Sequence, residues 1–283
     1  MLSGILRLYG RSPYHPGKWR IIRVALDRFP GLRMFRGVIK RSGFLLNVDC
    51  SVDDVDCRLT YLGVYEPFEI SAMRRFVKDG DCILDVGANT GYLTLWFGRT
   101  AGIAGRVYSF EPFPSTFEKL AENIWLNGMS NVTAVKKAVS DKNGMAQCIA
   151  GEFSGMCRVV AAGADRRDAQ VETVTVDTFA RERGLDTIDF IKIDVEGMER
   201  FVLRGAERTI EKCRPKLMVE VSPANLERYG CSPEDLLSAI RKMNYRLFVP
   251  RRYGLERLSS FSAIKGNEHI NLLAIPGAAK CRR

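Results

Sequence analysis

From residue 81 onward the chain keeps changing period: an apolar run of strand length, a tight polar turn, an apolar stripe at helical spacing, then another strand. The first full unit is "DCILDVGANTGYLTLWF" (81–97), where the buried strand "CILDVG" feeds the helix "TGYLTLWFGRT". Strand "RVYSFEP", helix "PSTFEKLAENIWLNG" and strand "NVTAVKKAVSD" follow. After an interruption at 141–176 the alternation resumes through "IDFIKIDVEG", "MERFVLRGAERTIEK", "KLMVEVS", "SPEDLLSAIRKMN", "YRLFVP" and "INLLAIP". Few folds accept such a pattern. Helices must cross back over a mostly parallel sheet and cover both of its faces, so the expected class is α/β. A chain of 283 residues with 46% apolar content can bury one large core, and one main domain is expected.

Local signals sharpen the elements. Ser115 with Glu118 reads as a capping box, Phe117, Leu120 and Ile124 form that helix's stripe, and Gly128 can end it. Ser232, Pro233 and Asp235 give a later helix a strong start. "DKNG" and "GEFSG" within 141–176 read as added hairpins. Ahead of residue 81, "FLLNVD" and "CRLTYLGVY" look strand-like, and "PFEISAMRRFVKDG" carries Ile70, Met73, Phe76 and Val77 on one helical side.

The N-terminus is chemically separate. Residues 1–41 hold ten Lys or Arg against one acid, Asp27, so nine of the net +10 charges sit there. This describes a basic arm on a nearly neutral protein. In "GKWRIIRVALDRFPG", Trp19, Ile22, Leu26 and Phe29 recur at helical spacing, while Lys18, Arg20, Arg23 and Arg28 fall largely elsewhere around the wheel. That helix has two readings: peripheral contact with an anionic membrane or acidic partner, or a stripe packed on the main domain with solvated arginines. The division expected is 1–45 for the basic helical extension and 46–283 for the main domain. No run of 18 apolar residues and no signal-peptide pattern occurs, so the expected location is cytoplasmic. Eight cysteines without a CxxC pair, and only two histidines, argue against structural zinc and for packing thiols.

In a sheet of this class ligands lie beyond the strand carboxyl ends, where the winding reverses. Gly87 and Gly91 stand at that end of the first strand, and the following helix starts with its amides toward the pocket. The acids narrow the ligand. A pyrophosphate cofactor repels a carboxylate just before the turn, and GxGxxG is absent. Asp85 instead suits a cation, and Glu111, ending the next strand, suits the two hydroxyls of a ribose. A positively charged chain plus a ribose describes S-adenosylmethionine. The competing reading is that Asp85 caps the helix and Glu111 is merely exposed.

"LDVGANTGYLTL", "VYSFEP", "VKKAVSD", "VDTF", "IDFIKIDVEGMERFVLRGAE" and "PKLMVEV", in that order, resemble the FkbM family of S-adenosylmethionine-dependent methyltransferases, over about Gly63 to Pro276. The resemblance implies a Rossmann-like, seven-stranded class I methyltransferase sheet, mostly parallel with its last strand inserted antiparallel. It implies that Asp85, Gly87, Asn89 and Gly91 form the first cofactor motif, that Glu111 is the ribose acid, and that Ala138 borders the adenine. Glu66 in "GVYEP" matches the family's Tyr-Glu-Pro element and would face the methionine end of the cofactor.

Methyl transfer to a hydroxyl needs a proton acceptor beside the methyl group. In "DFIKIDVEGME" Phe190, Lys192 and Asp194 share one side of the strand, with Ile191 and Ile193 on the other. Asp194 or Glu196 is therefore expected to act as general base or to position the acceptor, with Lys192 tuning the local charge. The competing readings are Glu196 as a helix cap, Asp194 as a ligand of the cofactor's amino group, and Lys192 as one half of a buried ion pair with Asp85 or Asp194. Glu220 with Asp194 could offer oxygen ligands to magnesium, but no second Asp or Asn follows Glu220, and no metal is expected. His269 reads as a turn histidine. The expected function is O-methylation of a sugar, glycan or small metabolite, with Phe153, Ser154 and Met156 of the insert walling the acceptor pocket. The rivals are nucleic-acid methylation, prompted by the basic arm but lacking an Asn-Pro-Pro-Tyr type motif, and a cofactor-binding scaffold without turnover.

Overall fold

The computed structural model describes residues 2–10, 12, 17–52, 54–150, 157–160, 169–263 and 269–278. Helices α1 (Leu2–Gly10) and α2 (Gly17–Arg28) precede a hairpin of β1 (Arg36–Arg41) and β2 (Phe44–Asp49). The apolar stripe of α2 is spent inside the protein: Ile22 and Leu26 are buried with Leu6, Leu32, Cys50, Cys57 and Tyr61, and Trp19 packs beside them. Phe29, beyond the helix end, is 49% exposed. Lys18, which the helical wheel groups with the solvated arginines, is buried instead. Its ammonium donates to the carbonyls of Gly10 (3.0 Å) and Ser12, oxygens left without helical partners where α1 stops. The expected boundary between residues 45 and 46 falls inside β2, whose Phe44, Leu46 and Val48 share a core with Ile83 and Leu95 of the main domain.

Residues 57–65, expected as a strand, do not form one; residues 54–62 are helical instead. They form α3 (Asp54–Cys57), continued by a π-helical turn over Arg58–Leu62 and closed by Gly63 in the left-handed region. Among the described residues no strand pairs with them; the Arg41 side chain from β1 donates to the carbonyls of Leu59 and Thr60 at 2.9 Å instead. Helix α4 (Pro67–Met73) then leads into the sheet.

The alternating units are β3 (Cys82–Val86), α5 (Tyr92–Ala101), β4 (Arg106–Phe110), α6 (Pro114–Leu126) and β5 (Val132–Val135). A four-stranded sheet of β6 (Ala138–Val139), β7 (Gly144–Ala150), β8 (Cys157–Val160) and β9 (Ala169–Val174) interrupts them. There follow α7 (Val176–Glu182), β10 (Phe190–Ile193), α8 (Glu199–Arg204), α9 (Glu207–Cys213), β11 (Lys216–Val221), α10 (Pro223–Glu227) and α11 (Pro233–Lys242). Strands β12 (Tyr245–Arg251), β13 (Gly254–Arg257) and β14 (Ile270–Pro276) finish the fold.

The main sheet has the order β13-β12-β14-β11-β10-β3-β4-β5. Neighbours from β11 to β5 pair in parallel, and β14 inserts antiparallel between β11 and β12. This corrects the expectation of seven strands to eight. The extra strand, β13, folds back antiparallel on β12 across a two-residue turn, with Arg251 opposite Gly254. The predicted third strand also divides: β5 stays in the main sheet, whereas β6 pairs with β9 in the smaller one.

Other local signals fared unevenly. Ser232 and Asp235 form the expected capping box of α11. Ser115 does not cap α6, which starts at Pro114 with Phe113 as its uncapped boundary residue. The predicted helix 198–212 breaks into α8 and α9 around Gly205 and Ala206. Phe153, Ser154 and Met156 lie outside the described residues.

Strand alternation divides the core. Leu84, Val86, Ile191 and Ile193 belong to one apolar cluster, and Ile83 and Phe190 to the cluster on the opposite face. Winding runs outward from β3 to β5 and then returns to β10 on β3's other side. The carboxyl ends of β3 and β10 therefore meet at the reversal, which is where a ligand crevice forms. Cys50, Cys57, Cys82 and Cys231 are buried free thiols. Among the described residues no helix is long and apolar enough to cross a membrane.

Candidate active site

At that reversal opens a cavity of about 910 Å³, and every residue singled out above as a cofactor or catalytic candidate lines it. Glu66 arrives before α4; Asp85 lies in β3, with Gly87, Asn89 and Gly91 in the turn after it; Glu111 directly follows β4 and Ala138 opens β6; Lys192 lies in β10, with Asp194 and Glu196 just beyond it.

The turn after β3 is shaped by what surrounds it. Gly87 has φ +82°, and a Cβ there would lie 1.8 Å from the carbonyl oxygen of Asp194. The missing side chain thus lets the turn pack directly on the chain leaving β10, joining the two halves of the site. Asn89, with φ 49°, folds its side-chain oxygen back onto the Thr90 amide at 2.6 Å. Glu66 (φ 46°) and Glu196 (φ 54°) are likewise held in the left-handed region on the cavity wall. Side chains other than glycine rarely adopt that backbone, and the strain is sustained by surrounding contacts.

The two acids of the cofactor motif are placed differently from their competing readings. Asp85 is fully buried and accepts from the Thr94 hydroxyl at 2.6 Å; it does not cap α5, whose first boundary residue, Gly91, has no side-chain cap. Its other oxygen is buried with no partner among the described residues. Glu111 is 6% exposed and accepts from the Asn89 amide (3.1 Å) and the Phe113 amide (3.0 Å), so it fixes the turn while facing the cavity.

The catalytic candidates form a charge cluster around Lys192. Its ammonium, itself buried, lies 2.7 Å from Asp194, opposite Asp85 in the β3–β10 register. Burial opposes the ammonium charge, but Asp194, Glu66 and Asp85 outweigh it and hold the Lys192 pKa above the ordinary lysine value. The ion-pair reading of Lys192 is thus realised with Asp194. Burial works against ionisation of Asp194 too, yet Lys192 wins and keeps that carboxylate below its ordinary pKa.

Glu196 behaves in the opposite way. Burial, then the charges of Asp194 and Glu199, push it up to about 7, against an ordinary 4.5. Its side chain is aimed by Asn225, whose amide donates to it at 2.5 Å. It does not cap α8, which has no side-chain cap; Glu199 instead ties down the turn before that helix, accepting from the Val195 amide (3.2 Å) and the Gly197 amide (3.0 Å).

Behind this cluster Glu220 lies 3.1 Å from His269 Nδ1, and burial with the charges of Asp194, Glu196 and Glu199 holds its pKa well above the carboxylate range. Among the described residues no group of three or more His, Cys, Asp or Glu is arranged to hold a metal. Asn271, opposite Glu220 on β14, donates to Glu66 at 3.2 Å, and the second Glu66 oxygen is buried without a partner among the described residues.

Sequence reading missed Asn225, Asn271, Thr94 and Glu199. Asn225, Asn271 and Thr94 each donate to an acid from another element, whereas Glu199 accepts from the turn that carries Glu196, and only its "EGME" spacing carried a local hint. The same cluster sets a pH dependence. Glu66, Glu196 and Glu199 all have folded-state pKa values near about 7 against 4.5. Between those values the folded chain binds more protons than the unfolded one. Stability contributed by these groups is therefore present at low pH and lost as pH rises through the window. Urea unfolding of the ligand-free protein at pH 5.5 and 7.5 is expected to show a decrease on the order of 1–3 kcal/mol. A flat or rising profile would count against these burials.

Comparison with known proteins places this geometry. Residues 85–247 match the Methyltransferase FkbM domain. The curated 2-O-methyltransferase NoeI of Sinorhizobium fredii is 27% identical over 153 residues, 48% of this chain and 62% of that protein. The chain thus spans less than two thirds of the length of that relative. Among solved structures, Methyltransferase FkbM from Methylobacillus flagellatus superposes with a TM-score of 0.49 at 17% identity, covering 78% of this chain and 55% of that one. A SAM-dependent O-methyltransferase from Thermotoga maritima gives 0.41 at 14% identity, covering 87% and 78%.

Proposed function

The chain belongs to the methyltransferase FkbM family, and from that premise we propose that it transfers the methyl group of S-adenosylmethionine to a hydroxyl of a sugar, glycan or other small metabolite. The observation that carries this reading is one cavity with two chemically different walls. On one wall a glycine turn and buried acids face the space; on the other stands Glu196, a carboxyl poised near neutral pH. The curated relative is a 2-O-methyltransferase, and a hydroxyl acceptor needs such a base.

The residues fit the donor. The partnerless oxygens of Asp85 and Glu66 suit its cationic amino-acid end, Glu111 suits the ribose hydroxyls, and Ala138 offers an apolar strand end to the adenine. When bound, S-adenosylmethionine supplies a methyl group on a sulfonium centre, already a strong electrophile. The protein's own work is then to align an acceptor oxygen, exclude water and take up one proton. Glu196 is the group assigned to that proton, with Asn225 orienting it and Asp194, kept ionised by Lys192, holding the acceptor or the donor's amino group.

Calorimetry with S-adenosylmethionine and S-adenosylhomocysteine, followed by transfer of labelled methyl to fractionated glycans and metabolites, tests the proposal. Label in an alkali-stable ether on a hydroxylated fraction is the expected result. Binding without transfer to any fraction favours a scaffold. Label in RNA or DNA, with binding that weakens steeply on adding salt, favours nucleic-acid methylation. Replacing Glu111 with Ala is expected to weaken S-adenosylhomocysteine by about 1–3 kcal/mol, because charge-assisted bonds to the ribose and the hold on the Asn89 turn are lost together. Unchanged affinity would remove Glu111 from the donor site.

A further inference from the structure

Acids outnumber lysines and arginines around the cavity, and most of the cations there are already committed. Lys192 pairs with Asp194, Lys137 with Glu172 and Arg251 with Glu256. Arg58 is different. It lines the cavity, forms no ion pair among the described residues, and its Nε is buried without a hydrogen-bond partner. Arg58 as a whole is half-buried, but a buried guanidinium N–H is normally satisfied, since an unmet buried donor lowers stability. Its position is not casual either: the guanidinium lies 4.8 Å from the ring centroid of Trp19 on α2 and 5.9 Å from that of Tyr65. Tyr65 in turn meets Tyr92, the first residue of α5, edge-on at 6.3 Å. The chain Trp19–Arg58–Tyr65–Tyr92 puts this cation on the side of the glycine turn. Arg228, the other lining arginine without an ion pair among the described residues, sits instead where its charge acts on Glu196.

We propose that Arg58 binds the α-carboxylate at the amino-acid end of the methyl donor, and that Trp19 of the N-terminal extension is the positioning residue that holds it there. The proposal rests on the donor reading given above. A donor of this class brings one carboxylate into a cavity rich in carboxylates, and an unpaired forked cation is the group that can receive it. Aromatic faces on the guanidinium fix its plane without consuming its N–H donors. On this view the basic arm completes the donor site, and the π-helical turn that carries Arg58 exists to present it.

The test compares two adenosine compounds on the full-length chain by calorimetry: S-adenosylhomocysteine, which carries the amino-acid end, and 5′-methylthioadenosine, which lacks it. Arg58→Gln is expected to raise the dissociation constant for S-adenosylhomocysteine roughly 10- to 100-fold while leaving that for 5′-methylthioadenosine within about twofold. Trp19→Ala is expected to produce a smaller loss with the same selectivity, on the order of three- to tenfold, with Trp19→Phe recovering most of it. Should Arg58→Gln fail to fold, Arg58→Lys keeps the charge and reads the lost fork as a partial, equally selective weakening. Equal weakening of both compounds would overturn the proposal, because it would mean that Arg58 merely supports the fold. Unchanged affinity for S-adenosylhomocysteine would also overturn it, and a raised KM for an acceptor in that case would assign the anion to the acceptor. If the wild-type chain binds neither compound, the donor reading fails and the proposal falls with it.

Discussion

Replacing Glu196 with Gln is expected to lower kcat by about 10²–10⁴-fold while leaving affinity for S-adenosylhomocysteine nearly unchanged. The substitution keeps the side chain's size and its contact with Asn225, but removes the ability to accept a proton. Wild-type turnover is expected to rise with pH and level off above about 7, because the base works only when deprotonated and burial has raised its pKa to that value. In Glu196→Gln that step disappears. Asp194→Asn is the informative contrast. Asp194 is ionised across the whole range by its pairing with Lys192, so its loss changes charge balance and positioning without deleting a pH 7 titration. A pH step that survives in Glu196→Gln and vanishes in Asp194→Asn would transfer the base assignment to Asp194.

Lys192→Met is expected to be the most destabilising single change in the site, by about 3–5 kcal/mol. It removes the one ammonium among Asp194, Glu66 and Asp85 while leaving those acids buried. The cost is therefore the desolvation of carboxylates no longer compensated, rather than the small net value of the pair itself. Protonation offers a way out, so the deficit relative to wild type is expected to shrink as pH falls toward 5. Chemical unfolding at pH 5.5 and 8 reads both points. A loss below about 1 kcal/mol at pH 8, or a deficit that does not respond to pH, would mean that the acids find other compensation.

Much of the fold was legible because its elements announce themselves locally. Apolar periodicity places β3, α5, β10 and β14, and the Ser232 capping box marks the start of α11, since each depends on neighbours within a few residues. The elements that eluded sequence reading are those decided by distant chain. Residues 57–65 have an apolar pattern compatible with a strand, yet among the described residues no strand pairs with them. Strand β13 exists because β12 offers it an edge, and β6 leaves the main sheet because β9 is available to pair with it. Lys18 stands off the apolar stripe of α2 in the sequence, yet the unsatisfied end of α1 draws it inside.

The site divides along the same line. Sequence alone established which residues stand at the carboxyl ends of β3, β4 and β10, because strand ends follow from pattern and acids there are visible by type. Only the tertiary structure decided what state those acids are in. Asp194 and Glu196 are two residues apart and would ionise alike in an extended peptide, but Lys192 binds one of them, while the other is buried against Asn225 from α10. Glu66 meets Asn271 from 205 positions further along, and Arg58 meets Trp19 from a helix that carries none of the family's motifs. Burial and electrostatic pairing are properties of three-dimensional neighbours, so proton affinity is settled by the folded arrangement.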